Sequence, residues 1–532
     1  MGNDLGAARW QGPQETLVYD DEGIRERLRD LEQPCYVVRE GERIGVTHAG
    51  RRAAPDEEGL TLLAALEPLP PQRLGEPAFC ETYGLKYAYM AGAMANAIAG
   101  EALVIALGRE GLLGSFGAGG LTPQRLEEAI RRVQAELPAG PYAFNLLHSP
   151  DEPALERGAV ELYLKHGVRV VEASAYLRLT SAVVRYRAAG LERGPDGEIR
   201  IRNRIIAKLS RREVARQFLA PAPAKLLQEL VAAGQITAQQ AELAEHVPMA
   251  DDITVEADSG GHTDNRPLVC LLPSMIALRD ELQATYGYAT PVRIGAAGGI
   301  STPAAVLGAF MMGAAYVVTG SINHASVEAG TSPQVKQLLA QAAATDVMMA
   351  PAADMFEMGT QVQVLKRGTL FPMRARKLYE LYAAYDSIEA LPPAEREQLE
   401  THVFQRSLDA VWDDCITFFN TRDPEQLRRA AGDPKRKMAL IFRWYLGLAT
   451  RWGIQGDPQR RMDYQIWCGP AMGAFNDWVR GSYLEAPENR HVVTMARELL
   501  YGAAVLYRIQ ALRLQGVRAP QRWAQLEPLA AF

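Results

Sequence analysis

What is scarce in this 532-residue sequence narrows it first. Its five cysteines, Cys35, Cys80, Cys270, Cys415 and Cys468, stand far apart with no CxxC pair. That spacing builds neither a disulfide framework nor a structural zinc site, and it suits a reducing compartment. An excess of either charge is also missing. Fifty-seven basic against 63 acidic side chains leave −6, with a pI near 5.9, which argues against a general nucleic-acid binder. No long hydrophobic run is present: the most apolar window, around 304–318, is interrupted by glycines and too short to span a membrane. The opening MGNDLGAARWQGPQE has no basic stretch leading into an apolar core, so no secretory leader is expected. A soluble, cytoplasmic protein is the expectation. Walker and HExxH motifs, clustered Cys/His sets and an early GxGxxG in a βαβ context are absent as well, so neither a metal site nor a Rossmann dinucleotide site is expected.

What is present centres on 294–320, IGAAGGISTPAAVLGAFMMGAAYVVTG. It reads as a buried strand, the pair Gly298-Gly299, a helix of small residues, and a second buried strand ending at Gly320-Ser321. Backbone N–H groups bared at the two turns would converge on one anion, a phosphate above all. A lone Gly-Gly is usually only a turn. Two glycine turns, each after a strand and one helix apart, match the phosphate site that strands seven and eight of a (β/α)8 barrel build.

The rest of the chain is organised accordingly. Residues 1–80 hold short strand-like runs, PCYVVR and RIGV among them, ending in the Pro-rich 67–77. Over 81–345 apolar β-type runs at 87–91, 112–116, 142–146, 168–174, 205–209, 253–258, 292–296 and 315–319 alternate with helical patterns such as 123–137, 151–166, 274–282 and 302–313. Continuous apolar runs are what parallel strands covered on both faces require. Eight β/α units in this length predict an α/β fold, a (β/α)8 TIM barrel; a doubly wound open sheet is the alternative, because counting units does not prove closure. Between strands five and six, 221–248 predicts a helical insertion, a lid or partner surface in the functional reading and a solvated decoration otherwise. From 346 to 532 three- and four-residue apolar spacing predicts helices at 394–419, 425–431, 435–451 and 491–514.

Chemistry is expected where barrel strands end. Strand six runs into Asp258-Ser259-Gly260-Gly261-His262, which puts a histidine on exposed backbone, able to donate a proton or polarise a substrate. Strand one runs into Gly92-Ala93-Met94, small enough for a flat ring to lie against the backbone, with Met94 as a soft wall. Asn145 stands in an apolar strand and must find hydrogen-bond partners. Lys208, also in an apolar strand, needs an anion: a negatively charged cofactor ring, or an acid such as Glu172 or Asp258. A phosphate cradle, an amide, a lysine and a histidine on one barrel face suit flavin mononucleotide (FMN).

GAM at 92–94, FNLL at 144–147, SGGH at 259–262, AAGGI at 296–300 and VTGS at 318–321 resemble the FMN-dependent nitronate monooxygenase and enoyl-ACP reductase superfamily. ADSGGHTDNRP (257–267), DMFEMGTQVQVLKRGTLFPMRA (354–375) and CGPAMGAFNDWV (468–479) are similar to signatures of its PfaD-type trans-acting enoyl reductases, which serve polyunsaturated fatty acid and polyketide synthases. The resemblance implies hydride transfer from NADPH through FMN to the β-carbon of a trans-2-enoyl thioester on an acyl carrier protein. It places His262 on the active-site histidine. Gly260, Gly261, Gly298, Gly299, Gly320 and Ser321 fall on phosphate-contacting turns, and Ala93, Met94 and Asn145 beside the flavin ring. Lys208 stands as a catalytic and cofactor-side candidate mainly on the burial argument. An acidic carrier protein would dock on a basic cluster, for which Arg211-Arg212, Lys366-Arg367, Arg374-Arg376-Lys377 and Lys435-Arg436-Lys437 are candidates; a homodimer is compatible with this. The rivals are a nitronate monooxygenase-type flavin oxidase, an IMP-dehydrogenase-like barrel, which lacks a suitably placed cysteine here, and a non-catalytic docking subunit.

Overall fold

The computed structural model describes residues 8–150 and 152–529. The first seven residues of the stretch read for a leader, and Asp151 at the start of the helix expected over 151–166, lie outside them. Near the N-terminus β1 (Arg9–Gln11), β2 (Cys35–Glu40), β3 (Arg43–Thr47), β4 (Arg51–Ala53) and β5 (Leu60–Leu66) form one antiparallel sheet in the order β3-β2-β5-β1-β4. Then β6 (Tyr89–Ala91), β7 (Leu113–Phe116), β8 (Ala143–Leu147) and β9 (Val170–Ser174) begin the parallel series. A ribbon of β10 (Leu191–Arg193) and β11 (Ile199–Ile201) precedes β12 (Arg204–Leu209) and β13 (Asp252–Glu256). The two-residue β14 (Gly261–His262) follows, then β15 (Arg293–Ala297), β16 (Val317–Thr319), β17 (Val347–Pro351) and β18 (Gln361–Leu365).

The eight parallel strands β6, β7, β8, β9, β12, β13, β15 and β16 close into a barrel, β16 pairing back onto β6. The open-sheet alternative is thereby removed. Each strand overlaps the run expected for it, because strands covered on both faces must be apolar along their length. At the N-terminal ends of β13 and β15, Arg293 clamps Asp252 through two hydrogen bonds of 2.7 and 2.9 Å, and Tyr83 donates a third to the same carboxylate. Between β12 and β13 lie the helices Arg212–Leu219, Ala224–Ala232 and Ala238–Ala244, the last opened by a capping box on Thr237.

The eighth helix comes late. After β16 the chain leaves the barrel wall through Ser321–His324 and Pro333–Ala340, builds β17, β18 and a helical body, and returns. Only then does Val492–Leu514 settle between Pro303–Met311 and Glu101–Arg109, the place an eighth barrel helix takes. Gly502 makes this approach possible, since a Cβ there would lie 2.6 Å from Pro303 Cγ. The same helix carries the N-terminal sheet: Arg508, fully buried, donates to the carbonyls of Asp30 and Gln33.

The helical body, with Phe371–Ala384, Leu408–Arg422 and Pro434–Gln455 as its main helices, has a core of its own around Phe356, Phe371, Phe404, Phe442 and Tyr445. The helix expected over 394–419 is broken at Gln405, whose φ of +57° ends one segment before Ser407 caps the next. Among the described residues no helix is long and apolar enough to cross a membrane.

Candidate active site

Loop 257–262 leaves the C-terminal end of β13 and is held from two sides. β14 pairs antiparallel with β18, and the Gln363 amide donates to Asp258 Oδ1 and to the Ser259 carbonyl, both at 2.7 Å. From the other side comes 468–469. A Cβ on Gly260 would lie 2.8 Å from the Cys468 amide nitrogen, and one on Gly469 would lie 2.9 Å from that of Gly260. Two glycines thus let two backbones cross in contact. Gly469 also donates its N–H to Ser321 Oγ at 2.9 Å, so the distant CGPAMG segment is tied to the turn after β16.

His262 stands where this small sheet meets the barrel mouth. Its Nε2 lies 3.2 Å from Asp354 Oδ1, near enough for an ion pair but off the line of a good hydrogen bond. Burial disfavours the imidazolium, yet Asp354, and behind it Glu256, outweigh both this and the repulsion of Lys208 and raise the His262 pKa above 6.5. The same pairing lowers the Asp354 pKa against its own burial. A step that needs protonated His262 is available below that raised pKa and is lost as pH rises through it. Asp354→Asn removes the main support of the charge, so the alkaline limb of a kcat–pH profile should move to lower pH; an unmoved limb would separate the pair from the chemistry.

Lys208 reaches Glu256 Oε1 at 2.8 Å. Burial works against its charge, while Glu256 and then Glu172 raise its pKa above the ordinary lysine value. The anion this lysine requires is therefore Glu256, on the neighbouring strand, with Glu172 as a second, more distant charge. Asp258, the other candidate, is taken by Gln363. Glu172 is 1% exposed; its Oε2 accepts from the Ala93 N–H at 2.8 Å, and its Oε1 has no hydrogen-bond partner among the described residues. Asn145 donates to the Glu172 carbonyl at 3.0 Å and to Ser174 Oγ at 2.8 Å, joining the ends of β8 and β9.

The two glycine turns lie beside this group. Gly298 and Gly299 have φ of +83° and +76°, and a Cβ on Gly298 would strike the Ala257 carbonyl carbon at 2.6 Å. A Cβ on Gly299, on Gly320 or on Gly261 would meet nothing within 4 Å. Among the described residues the N–H groups of Gly298, Gly299 and Gly320 have no hydrogen-bond acceptor. Across the mouth, the loops after β6 and β7 interlock. Asn96 and Ala97 both take positive φ, and a Cβ on Gly117 would fall 1.7 Å from the Met94 carbonyl oxygen.

Glu256, the nearest charge to Lys208, and Asp354, the partner of His262, are what the sequence alone leaves unassigned, whereas Glu172 is already a candidate there; Asp354 lies in a motif that resembles the family signature, but its pairing spans 92 residues. The basic clusters turn out largely spent within the chain. Arg211 grips Asp264, Arg367 faces Asp346, Arg374 binds Asp463, and Lys377, Lys435, Arg436 and Lys437 face Glu395, Asp386, Glu357 and Glu389. Among the described residues no group of three or more His, Cys, Asp or Glu side chains is placed to hold a metal ion.

A family model described as nitronate monooxygenase matches residues 77–380, more than half of the chain. The chain belongs to the nitronate monooxygenase family. Within this family member, residues 10–68 match the N-terminal domain of the fatty acid synthase component PfaD, and residues 385–464 match the inserted helical domain of acyl-carrier-protein S-malonyltransferase. A polyunsaturated fatty acid synthase protein from Thraustochytrium sp. is 54% identical over 83% of the chain and 30% of its own length. Polyketide biosynthesis protein PksE of Bacillus subtilis is 48% identical over 82% of the chain and 56% of its own length. The chain thus spans about a third to about half the length of these relatives. The crystal structure of the enoyl reductase domain of MlnA, from the macrolactin cluster of Bacillus amyloliquefaciens, superposes with a TM-score of 0.80 at 40% identity, over 84% of this chain and 100% of that one.

Proposed function

We propose that this oxidoreductase is a trans-acting enoyl reductase, using FMN and NADPH to add hydride at the β-carbon of a trans-2-enoyl thioester presented on an acyl carrier protein. The observation that carries this reading is one barrel mouth that combines His262, whose charged form Asp354 favours, with two turns whose glycine N–H groups have no acceptor among the described residues. The likeness to an enoyl reductase domain and to polyunsaturated fatty acid and polyketide synthase proteins supports it.

The residues present fit FMN. Gly298, Gly299, Gly320 and Ser321 would hold the phosphate, with space at Gly299 and Gly320 where any other residue would carry a Cβ. Ala93, Met94 and Asn145 would border the ring, where the buried, unpartnered Glu172 Oε1 awaits a donor. Gly261 would keep the near side open, whereas Gly260 serves the crossing with Cys468. When bound, the flavin supplies hydride transfer between nicotinamide and substrate. His262 then protonates the α-carbon, directly or through a water it holds, and Lys208, neutralised by Glu256, acts as a fixed hydrogen-bond donor beside it. After His262 gives up its proton, solvent returns one, and the Asp354 carboxylate favours that uptake.

The test is an absorbance spectrum of the purified protein, followed by anaerobic NADPH bleaching with and without a crotonyl thioester. Flavin that NADPH reduces and the thioester reoxidises is the expected result; a colourless protein, or flavin that NADPH leaves oxidised, would reject the reading. Gly298→Val should purify folded but with most of its flavin lost, because the side chain meets the Ala257 backbone and the residue must leave its left-handed conformation. Flavin content unchanged in that variant would place the phosphate elsewhere.

A further inference from the structure

Beside the mouth, an open groove of about 450 Å³ runs between the loops that follow β8 and β9 and the turn at Met358. We infer that this groove seats the phosphopantetheine arm of an acyl carrier domain, with Arg157 and Arg178 holding its phosphate; the inference rests on the enoyl reductase reading and gives it a carrier-side contact.

Position is the first argument. The groove opens at the end of the barrel where Asn145 and His262 lie, and Met358 follows Asp354, the partner of His262, by four residues. Four residues span at most about 14 Å, so a ligand in the groove is within a short arm's reach of the proton donor. Lining is the second. Leu177 and Met358 are 50% and 58% exposed, and Pro153 and Ala182 extend the same apolar wall. Two large apolar side chains turned into one groove call for an apolar ligand segment, which the methylene and gem-dimethyl part of pantetheine supplies.

Charge is the third. Arg157 and Arg178 are exposed and, among the described residues, have no carboxylate within 4.0 Å. Their neighbours are paired, Arg185 with Glu161 and Arg422 with Glu152. The buried carboxylate under the groove, Glu156, is committed as well: it accepts from Tyr176 and Thr180 and lies 2.9 Å from His148 Nδ1. Two unneutralised guanidinium groups on an apolar groove complement a ligand that joins an anionic phosphate to an apolar arm. The basic clusters named from sequence, mostly neutralised by their own acids, complement it less well.

The test measures binding of 4′-phosphopantetheine and of pantetheine to the flavin-loaded full chain by calorimetry, for the wild type and for Arg157→Gln/Arg178→Gln. Wild-type protein should prefer the phosphorylated arm by about tenfold, and the variant should bind both alike. In parallel, the ratio of KM for an N-acetylcysteamine enoyl thioester to KM for the carrier-linked one should collapse in the variant. A wild type indifferent to the phosphate, or a variant that keeps the preference, would overturn the inference even if the enzyme reduces enoyl thioesters. Phosphate preference without enoyl reduction would instead sink the reductase reading and leave the groove assignment standing.

Discussion

Replacing His262 with alanine should lower turnover of an enoyl thioester by about 10²–10⁴-fold, the usual worth of general acid assistance, with flavin content unchanged. Flavin should stay because the turns proposed to hold the phosphate, at Gly298-Gly299 and Gly320-Ser321, follow β15 and β16, whereas His262 belongs to β14, which pairs with β18. The reductive half-reaction with NADPH needs no proton on the α-carbon, so stopped-flow reduction should keep its rate while thioester-driven reoxidation slows. His262→Gln retains a hydrogen-bonding side chain but no titrating group, and should be slow at every pH, without the alkaline limb. Full turnover in the alanine variant would remove the histidine from the chemistry.

The largest loss of stability is expected from Arg293→Met. Asp252 is fully buried, and its charge is held by Arg293 and by the Tyr83 hydroxyl. Burial drives the Asp252 pKa up and Arg293 opposes that. Taking the guanidinium away leaves an uncompensated buried carboxylate, a change that typically costs about 3–5 kcal/mol. The expected result is a lower urea midpoint at neutral pH and partial recovery in Asp252→Asn/Arg293→Met, where the orphaned charge is gone as well. Flavin content per folded molecule should not change, since this pair sits at the end of the barrel opposite the glycine turns. A single variant as stable as the wild type would show that water or a proton already neutralises Asp252.

How far the fold could be read from sequence depends on how local each cause is. The eight strands are legible because burial on both faces writes itself into consecutive residues, as in Ile205–Ile206–Ala207 of β12. The glycine turns are legible because Gly298 and Gly299 need a backbone that other residues resist. Lys208 is legible as a residue in need of an anion, but not as the partner of Glu256, for which register between strands must be known. Nor can Asp354 be matched to His262 without the pairing of β14 with β18, and of β18 with β17, that brings them together. The basic clusters are legible as charge but not as ion pairs: Arg211 and Lys437 look like free charge until folding delivers Asp264 and Glu389. One helix start is misjudged locally. The helix Leu268–Tyr286 contains Pro273, which suggests a start at 274, yet the turns before it form with one N–H fewer.

The late arrival of Val492–Leu514 ties the ends of the molecule together in time as well as in space. A ribosome that has finished all eight barrel strands still has more than 170 residues to make before the gap between Pro303–Met311 and Glu101–Arg109 can be sealed. Until then the nascent barrel exposes an oily seam and the N-terminal sheet lacks the helix it rests on. Trimming the chain after the last strand would therefore not yield a minimal catalytic unit; it would remove the stave that holds the cask shut.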